Sequence, residues 1–102
     1  ANSREALREL EADQREGADV LMVKPALSYL DIVALAKQRF QLPLAVYNVS
    51  GEYAMLKMAV KQGLVQEAVI FESILAMKRA GADFIITYFA LYLARLIDEG
   101  VQ

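Results

Sequence analysis

The segment Gly17-Ala18-Asp19, followed by Val20-Leu21-Met22-Val23-Lys24-Pro25, returns 64 residues later as Gly81-Ala82-Asp83, followed by Phe84-Ile85-Ile86-Thr87-Tyr88-Phe89. Each copy reads as a helix ending at the glycine, where a left-handed residue is wanted, with a strand beginning at once. The apolar runs do not alternate with polar residues, the pattern of parallel strands buried on both faces. A third such run, 44–49, lies between them. Helical patterns over 3–16, 28–40, 52–62, 66–80 and 91–99 complete the order α-β-α-β-α-α-β-α. That alternation implies parallel strands joined by helical crossovers.

Local signals agree. Asn2 with Glu5 three residues on is a helix start, and Ala6, Leu7 and Leu10 form a thin stripe suited to a helix that covers an edge. Pro25 should stop its strand and bias Lys24 toward extended backbone. In 28–40, Leu30, Val33, Leu35, Ala36 and Phe40 are expected inside, with Asp31, Lys37, Gln38 and Arg39 outside. Met55, Leu56 and Met58 read as core, and Lys37, Lys57, Lys61 and Lys78 as solvated helix residues.

Three such strands can form a small open sheet or a sector of a closed barrel. Side chains at the carboxyl ends of parallel strands are where (β/α) barrels keep their chemistry, and here those ends carry Lys24, Tyr47-Asn48-Val49-Ser50 and Tyr88. The expected architecture is therefore α/β, with residues 1–102 a single partial domain: a C-terminal sector, about three β/α units, of a TIM (β/α)8 barrel.

The sequence holds no histidine and no cysteine. Imidazole bases, Ser-His-Asp triads, disulfides and thiolate metal sites are thereby excluded from these residues. A net charge of −2 with interspersed signs gives no case for nucleic acid or an anionic membrane. The longest apolar run, 84–94, falls well short of the ~20 residues that span a bilayer. No secretory signal is visible, and a cytoplasmic protein is expected.

An amine beside an apolar strand is partly desolvated, which lowers its pKa and frees a nucleophile for condensation with a ketone. Lys24 is the candidate for that role; alternatively its stem packs on the sheet and its ammonium pairs or reaches water. Ser50 either offers a hydroxyl beside a carboxylate-binding helix N-terminus or caps a helix that begins at Glu52. Tyr47 and Tyr88 either donate to a carboxylate or are amphipathic rim residues.

The strings Asn2-Ser3-Arg4-Glu5-Ala6-Leu7, Met22-Val23-Lys24-Pro25, Tyr29-Leu30-Asp31-Ile32-Val33, Val49-Ser50-Gly51-Glu52-Tyr53-Ala54-Met55, Lys78-Arg79-Ala80-Gly81-Ala82-Asp83 and Thr87-Tyr88-Phe89 closely resemble the porphobilinogen synthase (δ-aminolevulinic acid dehydratase) family over essentially the whole chain. The resemblance implies a lyase of heme and porphyrin biosynthesis that joins two 5-aminolevulinate molecules into porphobilinogen on a TIM barrel. It implies Lys24 as the Schiff-base lysine, Ser50 and Tyr88 as carboxylate-binding groups and Tyr47 as a wall of the same pocket. The family uses zinc or magnesium and assembles as an octamer, and Glu9 matches a position that ligates an allosteric magnesium in some members. The second Schiff-base lysine, the arginines of the second substrate site, the metal-binding cysteine or aspartate segment and the N-terminal arm have no counterpart here. The partners expected are thus 5-aminolevulinate, the remaining barrel portion and further copies. Two alternatives stand: a Schiff-base class I aldolase, or a non-catalytic fragment or subunit that needs the missing barrel half.

Overall fold

A computed structural model describes residues 2–100. Helix α1 (Ser3–Arg15) begins as expected: Asn2 is its cap, and Asn2 Oδ1 accepts from Glu5 N–H at 2.9 Å. It ends where Gly17 turns to φ +93°, letting the Gly17 and Ala18 N–H groups donate to the Gln14 and Asp13 carbonyls. Strand β1 (Leu21–Val23) follows, then a 3-10 turn (Leu27–Tyr29) leading into α2 (Leu30–Arg39). Strand β2 (Leu44–Asn48) is followed by α3 (Ser50–Lys61) and α4 (Ala68–Ala80), and β3 (Phe84–Thr87) by α5 (Ala90–Asp98). The elements match the sequence pattern to within two residues at each boundary.

The three strands are parallel in the order β1-β2-β3, with Val23 opposite Val46 and Val46 opposite Ile85. This register sorts side chains by parity. Leu21, Val23, Leu44 and Val46 face the helices and are buried with Leu10 of α1, Ile32, Val33 and Ala36 of α2, and Met77 of α4. A second cluster of Leu56, Ile70, Phe89 and Leu93 ties α3, α4 and α5 together.

The other face corrects the expectation of strands buried on both sides. Met22, Phe84 and Ile86 lie on it and are 45 to 56% exposed. Ala45, the small residue that Met22 and Phe84 flank in register, is buried between them. Among the described residues no helix supplies a second layer over this face, so the continuous apolar pattern exceeds what these residues bury. On α2, Leu35 is exposed while Ile32 takes the inward position. Of the three apolar residues expected inside on α3, only Leu56 is buried; Met55 and Met58 are 59% and 57% exposed, so the expected core cluster reduces to one residue.

At the amino ends of the strands, Asp83 pins the sheet to α2. Its carboxylate lies 2.8 Å from Lys37 Nζ and accepts from Leu44 N–H at 2.9 Å, while Asp83 N–H donates to the Leu44 carbonyl at 2.8 Å. Lys37 is thus exposed but engaged, not simply solvated. Gly81 turns the chain at φ +128° with Lys37 close beside it.

Candidate functional site at the carboxyl ends of the strands

Three candidates stand at the carboxyl ends of the strands. Tyr47 lies on the open face of β2 opposite Ile86, Tyr88 directly follows β3, and Lys24 directly follows β1. The structure brings Tyr47 and Tyr88 together, with phenolic oxygens 3.2 Å apart. Hydrogen bonding to Tyr88, with smaller contributions from burial and from repulsion by that neighbour, raises the Tyr47 pKa above its ordinary value near 10. The Tyr53 ring packs 5.5 Å from Tyr88 and 4.6 Å from Phe89, so the Tyr88 ring is backed by α3.

The loop holding Lys24 is tied to β2 by the Ala26 N–H, which donates to the Tyr47 carbonyl at 3.1 Å. The Lys24–Pro25 peptide is cis. Lys24 is exposed, so the desolvation expected from its place beside an apolar strand is not supplied by these residues. It lines a groove of about 600 Å³ along β1 together with Glu5, Glu9 and Asp13 of α1.

Ser50 does not cap a helix. α3 begins at Ser50 itself and the cap position falls on Val49, whose side chain accepts nothing, so the exposed Ser50 hydroxyl sits at the first helical position beside the N-terminal N–H groups. Such a terminus suits a carboxylate.

Glu9 shares its groove with two further carboxylates, yet among the described residues no three acidic, histidine or cysteine side chains converge closely enough to hold a metal ion.

Three polar residues beneath the site were not singled out from sequence. Asn48 is fully buried and Glu52 is 7% exposed. Asn48 Nδ2 donates to Glu52 Oε1 at 2.8 Å, and the Thr87 hydroxyl donates to Asn48 Oδ1 at 2.7 Å. The available signal was parity: Asn48 and Thr87 fall on the helix-facing side, where an unpaired polar group is costly.

A parallel α/β unit with an amine and two phenols at the carboxyl ends of its strands defines a class, proteins whose chemistry sits above the sheet. The comparisons narrow it. Residues 1–96 match the family model described as Delta-aminolevulinic acid dehydratase, and the chain belongs to that family. It is 58% identical over 97 residues to the delta-aminolevulinic acid dehydratase of Archaeoglobus fulgidus, covering 95% of this chain and 30% of that protein. With the enzyme of Methanothermobacter thermautotrophicus, identity is 62% over 90 residues, covering 88% of this chain and 28% of that protein. The structure superposes on the delta-aminolevulinic acid dehydratase (porphobilinogen synthase) of Toxoplasma gondii, a complex with the reaction product porphobilinogen, with a TM-score of 0.84 and 53% identity. That match covers 87% of this chain and 26% of the other. The chain spans about 30% of the length of the curated relatives it matches. Among the described residues no helix is long and apolar enough to cross a membrane.

Proposed function

We propose that this chain is one partial domain, the last three β/α units of a TIM barrel, and that within the complete barrel it carries one substrate site of a porphobilinogen-forming dehydratase. The observation that carries this reading is the 3.2 Å contact of the Tyr47 and Tyr88 hydroxyls at the carboxyl ends of β2 and β3, beside the β1 strand that leads directly into Lys24. Lys24 Nζ adds to the ketone carbon of 5-aminolevulinate; the carbonyl oxygen leaves as water and an imine remains. Ser50, the N-terminus of α3 and the Tyr88 hydroxyl receive the substrate carboxylate, and Tyr47 orients Tyr88 while walling the pocket. The remaining barrel supplies the cover that Lys24 lacks here and the site for the second substrate molecule, since pyrrole formation depends on holding both together. The assembled protein acts in tetrapyrrole synthesis in the cytoplasm, as an oligomer. For magnesium, Glu9 gives a single carboxylate, and the rest of the coordination comes from outside this chain.

The test is reductive trapping. With the full-length protein, 5-aminolevulinate or levulinate plus borohydride should label Lys24, and Lys24→Met should abolish the adduct. Ser50→Ala or Tyr88→Phe should each weaken ligand binding by about 1–3 kcal/mol, through loss of a charge-assisted hydrogen bond. An adduct spread over Lys57, Lys61 and Lys78 defeats the assignment, and aldol cleavage without pyrrole formation would favour the class I aldolase instead.

A further inference from the structure

The geometry points to Glu52 as a positioning residue that holds the Lys24 loop and the Tyr88 turn in one register, a role that rests on the reading of Lys24 and Tyr88 given above. Both of its carboxylate oxygens are committed to other segments. Oε2 accepts from Leu27 N–H at 2.8 Å, and Oε1 accepts from Asn48 Nδ2 at 2.8 Å. Asn48 Oδ1 accepts from the Thr87 hydroxyl at 2.7 Å, and Thr87 Oγ1 in turn accepts from Phe89 N–H at 3.1 Å. One continuous run of hydrogen bonds therefore joins the loop after β1, the end of β2, the first turn of α3 and the end of β3.

Each station of that run adjoins a candidate. Leu27 is three residues past Lys24, Asn48 follows Tyr47, Glu52 is two residues past Ser50, and Thr87 precedes Tyr88. An apolar side chain could fill the same space without the cost of burying a carboxylate. What the carboxylate adds is direction. It accepts only, so Asn48 must turn its amide nitrogen toward Glu52 and its oxygen toward Thr87, leaving Thr87 Oγ1 to accept from Phe89. The first turn of α3 supports the negative charge. The polarity of the whole run is thus set at Glu52, and a reversal at any member would face donor against donor or acceptor against acceptor.

The experiment uses the full-length protein. Glu52→Gln keeps the shape but turns an amide nitrogen against Leu27 N–H or against the Asn48 amide, and relieving the latter by flipping Asn48 leaves the Thr87 hydroxyl without its acceptor. The double variant Glu52→Gln with Asn48→Asp restores complementarity: the new carboxamide oxygen accepts from Leu27 N–H, its nitrogen donates to the new carboxylate at position 48, and that carboxylate still accepts from Thr87. Three quantities are read on the folded fraction: the rate of borohydride-trapped adduct at Lys24, the separate kcat and KM for 5-aminolevulinate, and amide exchange at Leu27 and Phe89. Glu52→Gln should slow adduct formation about ten- to a hundredfold, lower kcat more than it raises KM, and expose the Phe89 amide, which Glu52 does not touch. The double variant should return all three toward wild type. Loss of thermal stability alone, with trapping rate and Phe89 protection unchanged, overturns the proposal; so does a double variant as impaired as the single one. If the wild-type protein gives no Lys24 adduct, the functional reading fails, while exchange at Leu27 and Phe89 still decides whether Glu52 couples the two segments. Should Glu52→Gln not fold, Thr87→Val interrupts the run from its far end and should raise KM through Tyr88; an unchanged KM there counts against the proposal.

Discussion

The phenolic oxygens of Tyr47 and Tyr88 lie 3.2 Å apart across the carboxyl ends of two paired strands, with Tyr88 held from behind by Tyr53. Because hydrogen bonding to Tyr88 favours the neutral form of Tyr47, the Tyr47 pKa is raised in the folded state. The stabilising contribution is therefore complete below the ordinary tyrosine value near 10 and is lost as pH rises through the raised folded value. Phenolate absorbance should show Tyr47 ionising later than a free tyrosine, and Tyr88→Phe should bring that titration back. An unmoved titration in Tyr88→Phe would show that the pair does not interact.

Asp83 behaves in the opposite sense. The Lys37 ammonium first, and then the Leu44 N–H, hold its carboxyl below the usual range, with burial opposing them slightly. This contribution is present above the unfolded carboxylate value near 4 and disappears as pH falls through the lowered folded value. Asp83→Asn should thus be less stable than wild type at neutral pH, and the two should converge in acid. Denaturant unfolding across the acid range checks this; a gap that persists unchanged into acid means that the ion pair is not its source.

Gly81→Ala should cost more than Gly17→Ala, although both glycines have positive φ. A methyl group at Gly81 would stand 2.8 Å from both Cβ and Cγ of Lys37, whereas one at Gly17 would meet nothing within 4 Å. Backbone strain contributes about 1–3 kcal/mol at either position, and the clash adds to it only at Gly81. Equal losses in denaturant unfolding would mean that α2 yields without cost.

The 102-residue chain alone should self-associate. Among the described residues β1 and β3 each have a single strand neighbour, and the adjoining open face carries Met22, Phe84 and Ile86. Unpaired parallel edges beside an apolar face are a recognised route to association. Sedimentation should show species above the monomer mass, reduced by Ile86→Lys. A sharp monomer with protected amides throughout would refute this.

Much of this molecule was legible in the chain by itself. Asn2, Gly17, Gly63 and Gly81 punctuate helices through local backbone chemistry, so the element order followed from short-range rules that need no tertiary partner. That the strand ends carry Lys24, Tyr47 and Tyr88 was legible too, but only the register of the sheet sets Tyr47 beside Tyr88. What tertiary structure decided is which groups meet at long range. Lys37 finds Asp83 across 46 residues, and Thr87 finds Asn48 across 39, because parallel pairing and the folding of α2 and α3 onto the sheet bring remote segments together. It also decided that Ser50 opens α3 instead of capping it, and that Met55 and Met58 stay in solvent. Periodicity states that a residue is apolar; only the packed neighbours determine whether anything covers it.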